Sequence, residues 1–169
     1  MGIFTDASNL NSKGLGQDLT PGRKSPLKKG EDFFKIFRML PNGSYRKTDS
    51  GLKVAVTKDG DGKSLTNGMK VKVNYTGWVI DGKKFDSSYD KGKPFEFVLG
   101  AGRVIKGWEE GMAGIQPGER RQLIIPPELG YGKRQMGDIP ANATLVFNVE
   151  ALAVEDIPSN PNGNVSVVA

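Results

Sequence analysis

A chain of 169 residues with 37% hydrophobic content and a formal charge of +5 suits one ordinary domain plus segments that do not pack into it. Cysteine and histidine are both absent, which excludes a disulfide framework, thiol nucleophiles, Cys/His zinc sites and the usual general base of neutral pH. No apolar run approaches the roughly 18 residues of a spanning helix, and residues 1–10 lack a basic stretch followed by an apolar one, so a soluble, cytoplasmic protein is expected.

The charge lies mostly at one end. Residues 1–48 hold nine Lys/Arg and four Asp/Glu, a net of +5, while residues 49–169 hold fifteen of each. Residues 1–30 are rich in Gly, Ser, Asn, Lys and Pro without an apolar period, so they cannot bury enough surface to offset their ordering entropy and are expected to be disordered. A basic tail can attract nucleic acid, but its cations are scattered, and nucleic acid is not the expected partner. Within residues 31–40 the acids Glu31 and Asp32 precede the bases Lys35 and Arg38, and Phe33, Phe34, Phe37 and Leu40 share one helical stripe. That spacing predicts a short amphipathic helix, ended by Pro41-Asn42-Gly43 and too short to stand alone, which docks on the domain away from its binding pocket or on a partner.

From Leu52 the pattern turns to strands. Leu52, Val54 and Val56 alternate with polar residues, Asp59-Gly60-Asp61-Gly62 is a turn, and residues 69–78 alternate strictly. Asp81-Gly82 signals a hairpin, residues 95–99 another strand, and residues 104–112 the one helix of the domain. A turn at Gln116-Pro117-Gly118-Glu119 and strands over residues 120–125 and 144–154 complete the set, and residues 158–169 form a loose end. Short strands separated by turns, with one helix, indicate an antiparallel sheet folded over that helix. The domain is expected over residues 49–157, with Leu123, Ile125, Leu145 and Val149 in its core.

Six segments in order carry a resemblance. They are Val73-Asn74-Tyr75-Thr76-Gly77, Gly82-Lys83-Lys84-Phe85-Asp86-Ser87-Ser88, Lys93-Pro94-Phe95-Glu96-Phe97-Val98-Leu99-Gly100, Val104-Ile105-Lys106-Gly107-Trp108-Glu109-Glu110-Gly111, Pro126-Pro127-Glu128-Leu129-Gly130-Tyr131-Gly132 and Ile139-Pro140-Ala141-Asn142-Ala143-Thr144-Leu145-Val146-Phe147. Together they resemble the signature segments of the FKBP family of peptidyl-prolyl cis–trans isomerases, over residues 52–157 and not over residues 1–48.

The resemblance implies an α+β fold, a twisted antiparallel sheet of five to six strands wrapped around one short helix, and a rotamase acting on proline-containing polypeptides during protein folding, as a monomer, with no cofactor, metal or membrane. Trp108 is then the pocket floor, and Tyr75, Phe85, Phe95, Val104, Ile105 and Phe147 its walls, with Ile139 a further binding residue. Tyr131 donates from the mouth, Asp86 sits beside Tyr75 as an acceptor, and the backbone N–H of Ile105 holds a substrate carbonyl. Tyr75, Asp86, Trp108, Tyr131 and Phe147 are the residues implied to be catalytic. A non-catalytic module that holds a partner in the same pocket is the alternative. The loop Lys133-Arg134-Gln135-Met136-Gly137-Asp138 departs from the family form, with Asp138 where an apolar residue usually meets ligand, which implies altered affinity for rapamycin-type macrolides. Arg103 adds positive charge at the rim. No insertion interrupts residues 141–144, which argues against the flap-bearing chaperone variation of the family.

Overall fold

Every second side chain of Val71-Lys72-Val73-Asn74-Tyr75 is apolar, as a strand with one buried face requires. In the computed structural model, which describes residues 33–157, these residues lie in the ten-residue strand Lys70–Val79 (β3). The other strands are Arg46–Lys47 (β1), Lys53–Lys58 (β2), Lys84–Ser87 (β4), Phe95–Val98 (β5), Arg120–Ile125 (β6) and Leu145–Glu155 (β7). They form one antiparallel sheet of seven strands in the order β1-β2-β6-β7-β3-β4, with β5 pairing β3 beside β4. The expected fold class is therefore present, with the two-residue β1 an addition to the expected strands and a four-residue helix, Ser88–Lys91 (α1), an addition to the expected helix.

Leu123, Ile125, Leu145, Val149, Val71 and Val73, all fully buried, line the inner face of the sheet, which bends around the helix Lys106–Gly111 (α2). Register shifts at Lys72/Val73 and Gly77/Trp78 add twist where the sheet wraps. Six residues cannot sustain a helix alone, and α2 is held by contact with β6. A Cβ on Gly107 would lie 2.6 Å from Ile125 Cγ2 and one on Gly111 2.8 Å from Leu123 Cδ1, so only glycine lets the helix come this close. Buried Arg121 fixes the end of α2, donating from Nη1 to the carbonyls of Gly111 (2.8 Å) and Ala113 (3.0 Å) while its Nε pairs with Glu119 at 2.6 Å. An arginine with all these partners in place is a stable anchor, since its charge is matched where water is excluded.

The amphipathic helix expected at residues 31–40 is not what forms. Phe33–Lys35 makes a single 3-10 turn, and residues 37–41 run as irregular chain across the outer face of the sheet. The reason lies in the partners of its backbone. The Phe34 carbonyl accepts from Asn148 Nδ2 at 2.9 Å and the Arg38 carbonyl from Gln122 Nε2 at 3.0 Å, while the Leu40 N–H donates to the Tyr45 hydroxyl at 3.0 Å. Helical ladder bonds would forfeit these, and a helix could not bury the consecutive residues Arg38, Met39, Leu40 and Pro41 as this strap does. Met39 packs with Trp78 and Val146, Leu40 with Ala55 and Tyr45, and Phe37 meets Trp78 edge-on at 5.6 Å. The strap docks on the domain on the face opposite the sheet's inner core, and the folded unit begins upstream of the expected boundary at residue 49. The expectations of a disordered stretch at residues 1–30 and a loose end at 158–169 fall outside the described residues.

Candidate active site

A cleft of about 640 Å³ opens between the inner face of the sheet, α2 and the loop that follows β6. Trp108, on α2, forms its floor. Its indole stands edge-to-face with Tyr75 (centroids 5.0 Å apart, planes at 84°), Phe147 (5.3 Å, 82°) and Phe95 (5.9 Å, 71°), the arrangement that aromatic quadrupoles favour. Phe85 closes the box against Phe147 at 5.6 Å and 87°. Four elements thus contribute one aromatic each to a wall, with β3 supplying Tyr75, β4 Phe85, β5 Phe95 and β7 Phe147. Tyr75, Trp108 and Phe147 are buried, Phe85 is half-buried, and Phe95 is exposed at the mouth.

One wall is polar. The Tyr75 hydroxyl donates to Asp86 Oδ2 at 2.6 Å, and Asp86 Oδ1 accepts from the Ser87 N–H at 2.9 Å and pairs with Lys91 at 3.0 Å. Asp86 is therefore fully engaged and aimed by its neighbours. Burial, then the Asp86 acceptor, pushes the Tyr75 phenol above its ordinary range, and burial together with the negative charge of Asp86 raises Tyr131 as well. Both phenols remain protonated donors at neutral pH. The Ser87-Ser88 pair holds this wall to β3. Ser88 Oγ accepts from the Tyr75 N–H at 2.9 Å and donates to Asn74 Oδ1 at 2.8 Å, while Ser87 Oγ accepts from the N–H groups of Tyr89 and Asp90 and so caps α1.

The opposite rim is the loop entering α2. Glu109 Oε1 accepts from the Gly100 N–H at 2.6 Å and its Oε2 from the Gly102 N–H at 3.1 Å, which ties the loop bearing Val104 and Ile105 back onto the helix. The Ile105 carbonyl starts α2 by accepting from Trp108 N–H, and its own N–H donates to no described residue. Tyr131 follows the 3-10 turn Pro127–Leu129 and its hydroxyl is likewise unengaged among the described residues.

Nine of the ten expected site residues therefore line one cleft: Tyr75, Phe85, Asp86, Phe95, Val104, Ile105, Trp108, Tyr131 and Phe147. Ile139 does not. It is a buried core residue whose N–H and carbonyl exchange hydrogen bonds with Met136. Asp138 and Lys133 are exposed and do not line the cleft, whereas Arg134 of the same loop does. The sequence reading missed Lys91, Lys106, Pro127, Glu128, Gly130, Gly132 and Arg134, which line the mouth, and the positioning contact of Glu109. Lys106, Gly130 and Gly132 each adjoin an expected lining residue, a proximity that would have found them.

Nothing in the cleft is a nucleophile beside a base, and no cluster of three metal-ligating side chains exists among the described residues. What the arrangement offers is an aromatic slot with donors on its rim. A family model for FKBP-type peptidyl-prolyl cis–trans isomerase matches residues 62–152. FK506-binding protein 2 of Emericella nidulans is 52% identical over 99 residues, covering 58% of this chain and 73% of that protein. The peptidyl-prolyl cis–trans isomerase Fkbp12 of Drosophila melanogaster is 50% identical over 107 residues, covering 62% of this chain and 99% of that protein. FkpA from Escherichia coli superposes with a TM-score of 0.64 at 44% identity, over 68% of this chain and 53% of that one. Fold, aromatic cleft and matched residues agree, and the chain belongs to the FKBP family of peptidyl-prolyl cis–trans isomerases.

Proposed function

We propose that this isomerase accelerates rotation about X–Pro bonds by seating the prolyl ring on Trp108 and desolvating the amide as it twists. Resonance in the planar amide sets a barrier of roughly 18–20 kcal/mol. At the twisted transition state resonance is lost and the carbonyl oxygen carries less negative charge. A pocket that withholds water from that oxygen favours the twisted amide over the planar one, which is differential binding of the transition state. The box of edge-to-face rings around Trp108 is the observation that carries this reading. Tyr75, Phe85, Phe95, Val104 and Phe147 exclude water, the Ile105 N–H and the Tyr131 hydroxyl hold the flanking peptide carbonyls, and Asp86 keeps Tyr75 in place. No proton is transferred and no covalent intermediate forms.

Folding polypeptides limited by X–Pro isomerisation are the clients of such a site, and a monomer suffices for it. The residue before the proline enters between Phe85, Phe95 and Tyr131, so apolar residues are preferred there. A rapamycin-type macrolide is a second ligand for the same slot, at an affinity altered by Arg134 on the rim. The test is acceleration of cis–trans exchange in a Leu-Pro peptide by the purified chain, and its loss in Trp108→Ala. Retained peptide binding without acceleration would leave a holding module in place of the proposed mechanism.

A further inference from the structure

Residues 49–157 carry equal numbers of acidic and basic side chains, fifteen of each, yet the cleft does not share that balance. Its lining includes the cations Lys91, Arg103, Lys106 and Arg134 against the acids Asp86 and Glu128. Lys91 and Asp86 neutralise each other at 3.0 Å. Arg103, Lys106 and Arg134 are exposed and enter no ion pair among the described residues. An unbalanced set of like charges at the mouth of a low-dielectric cleft raises the local concentration of the opposite charge and speeds its capture.

These cations do not sit on loose chain. Arg103 follows Gly102, whose N–H is bound by Glu109. Lys106 is the first residue of α2. Arg134 closes a turn by donating its N–H to the Tyr131 carbonyl at 3.2 Å. Each is also within three positions of a residue that forms the slot: Val104, Ile105 and Tyr131. All three line the same cleft as Trp108, so a polypeptide that places a proline there comes within reach of them.

From this we infer that the protein selects prolines embedded in acidic sequence, with Arg103, Lys106 and Arg134 as its specificity-determining residues. The inference rests on the isomerase mechanism above and names the substrate class of the same site. Extended chain advances about 3.3–3.6 Å per residue, so acids two to four positions from the proline lie about 7–14 Å from it. That distance is comparable to the screening length of about 8 Å at physiological ionic strength. The position directly before the proline faces aromatic rings instead and stays apolar. Acidic peptide is thus selected at the flanks and apolar side chain at the slot.

The experiment uses the full chain and three Leu-Pro peptides that differ only in flanking triplets of Glu, Gln or Lys. At low salt the Glu-flanked peptide is expected to exceed the Lys-flanked one in kcat/KM by roughly fivefold, and the ratio to fall toward one in 0.5 M salt, a condition in which surface charges are screened within about 4 Å. Arg103→Glu/Arg134→Glu is expected to invert the order, and Lys106→Glu alone to reduce the ratio, which keeps the test intact if the double variant does not fold. Equal kcat/KM for the three peptides, or an order that survives in the variants, overturns the inference. So does a calorimetric preference for the Glu-flanked peptide that persists when its proline is replaced by alanine, because that marks a general polyanion surface. Failure to turn over even the Gln-flanked peptide overturns the mechanism rather than the selectivity, which calorimetry with the same peptides still reads.

Discussion

The side-chain amide of Asn148 donates to the carbonyl of Phe34 at 2.9 Å, joining the centre of β7 to the strap across 114 residues of sequence. Beside it, Gln122 bonds the Arg38 carbonyl, Asn148 Oδ1 and the Tyr45 hydroxyl. Two amides that would be costly to bury unpaired are satisfied by the strap, so the strap and the sheet form one cooperative unit.

Phe34→Ala tests that unit. The ring is buried, with the Arg120 guanidinium 4.6 Å above it, and truncating a buried Phe costs about 3–5 kcal/mol in a close-packed core. Urea unfolding is expected to show a loss near the lower end of that range, with kcat/KM on a Leu-Pro peptide unchanged because the strap lies on the far face from the cleft. An unaltered urea midpoint would mean the strap is an ornament on the fold.

Tyr45 gives the strap a signature in alkali. Burial pushes its phenol up to about 12, against the Leu40 N–H, which lowers it. A folded-state value above the unfolded value of about 10 means the folded chain keeps this proton longer. The associated stability is complete below pH 10 and is lost as pH rises from about 10 to about 12. Melting temperature followed from pH 8 to 12 is expected to fall more steeply for the wild type than for Tyr45→Phe. Parallel curves would show that Tyr45 keeps the same environment in both states.

Catalysis, by contrast, is expected to ignore pH near neutrality. The sequence has no histidine, and Tyr75 and Tyr131 are both raised above the ordinary phenol range, so neither loses its proton below it. A plot of kcat/KM between pH 6 and 9 is therefore predicted to be flat. A bell-shaped profile in that window would assign a carboxylate a proton-transfer role that the proposed mechanism does not contain.

Gly77 stands opposite Phe147 in the β3–β7 register, and a Cβ there would lie 2.6 Å from Phe147 Cε2 and 3.0 Å from Phe85 Cζ. Gly77→Ala is expected to drive both rings into the slot, lowering kcat/KM at least tenfold while overpacking costs about 1–3 kcal/mol in unfolding free energy. Gly77→Ala/Phe147→Leu, which vacates the space, should recover most of the stability and little of the activity. Full activity in the single variant would show that the slot is not bounded by these rings.

The strands were legible in the sequence because a half-buried strand writes its burial in alternate letters, as Val71, Val73 and Tyr75 do. The rings of the cleft were legible through resemblance, since spacing alone does not tell a slot from a core. The strap was legible only as apolar. Its Phe residues fall at helical intervals, but its backbone partners, Gln122 and Asn148, lie more than 80 residues away and no local pattern encodes them. Ile139 lies in a loop without a period, so no local pattern distinguished core from cleft, and the structure packs it in the core. Glu109 was invisible as a positioning residue because its partners are backbone N–H groups of a loop, which any sequence possesses.

Along β7, Leu145, Phe147 and Val149 face the cleft and inner core, while Val146 and Asn148 between them face the strap. The strand is thus two interleaved texts printed on opposite sides of one page. Substitutions in one set leave the other unread, so the isomerase and the surface on its back can diverge independently. Relatives that keep the odd letters and rewrite the even ones would perform the same rotation while wearing a different cover.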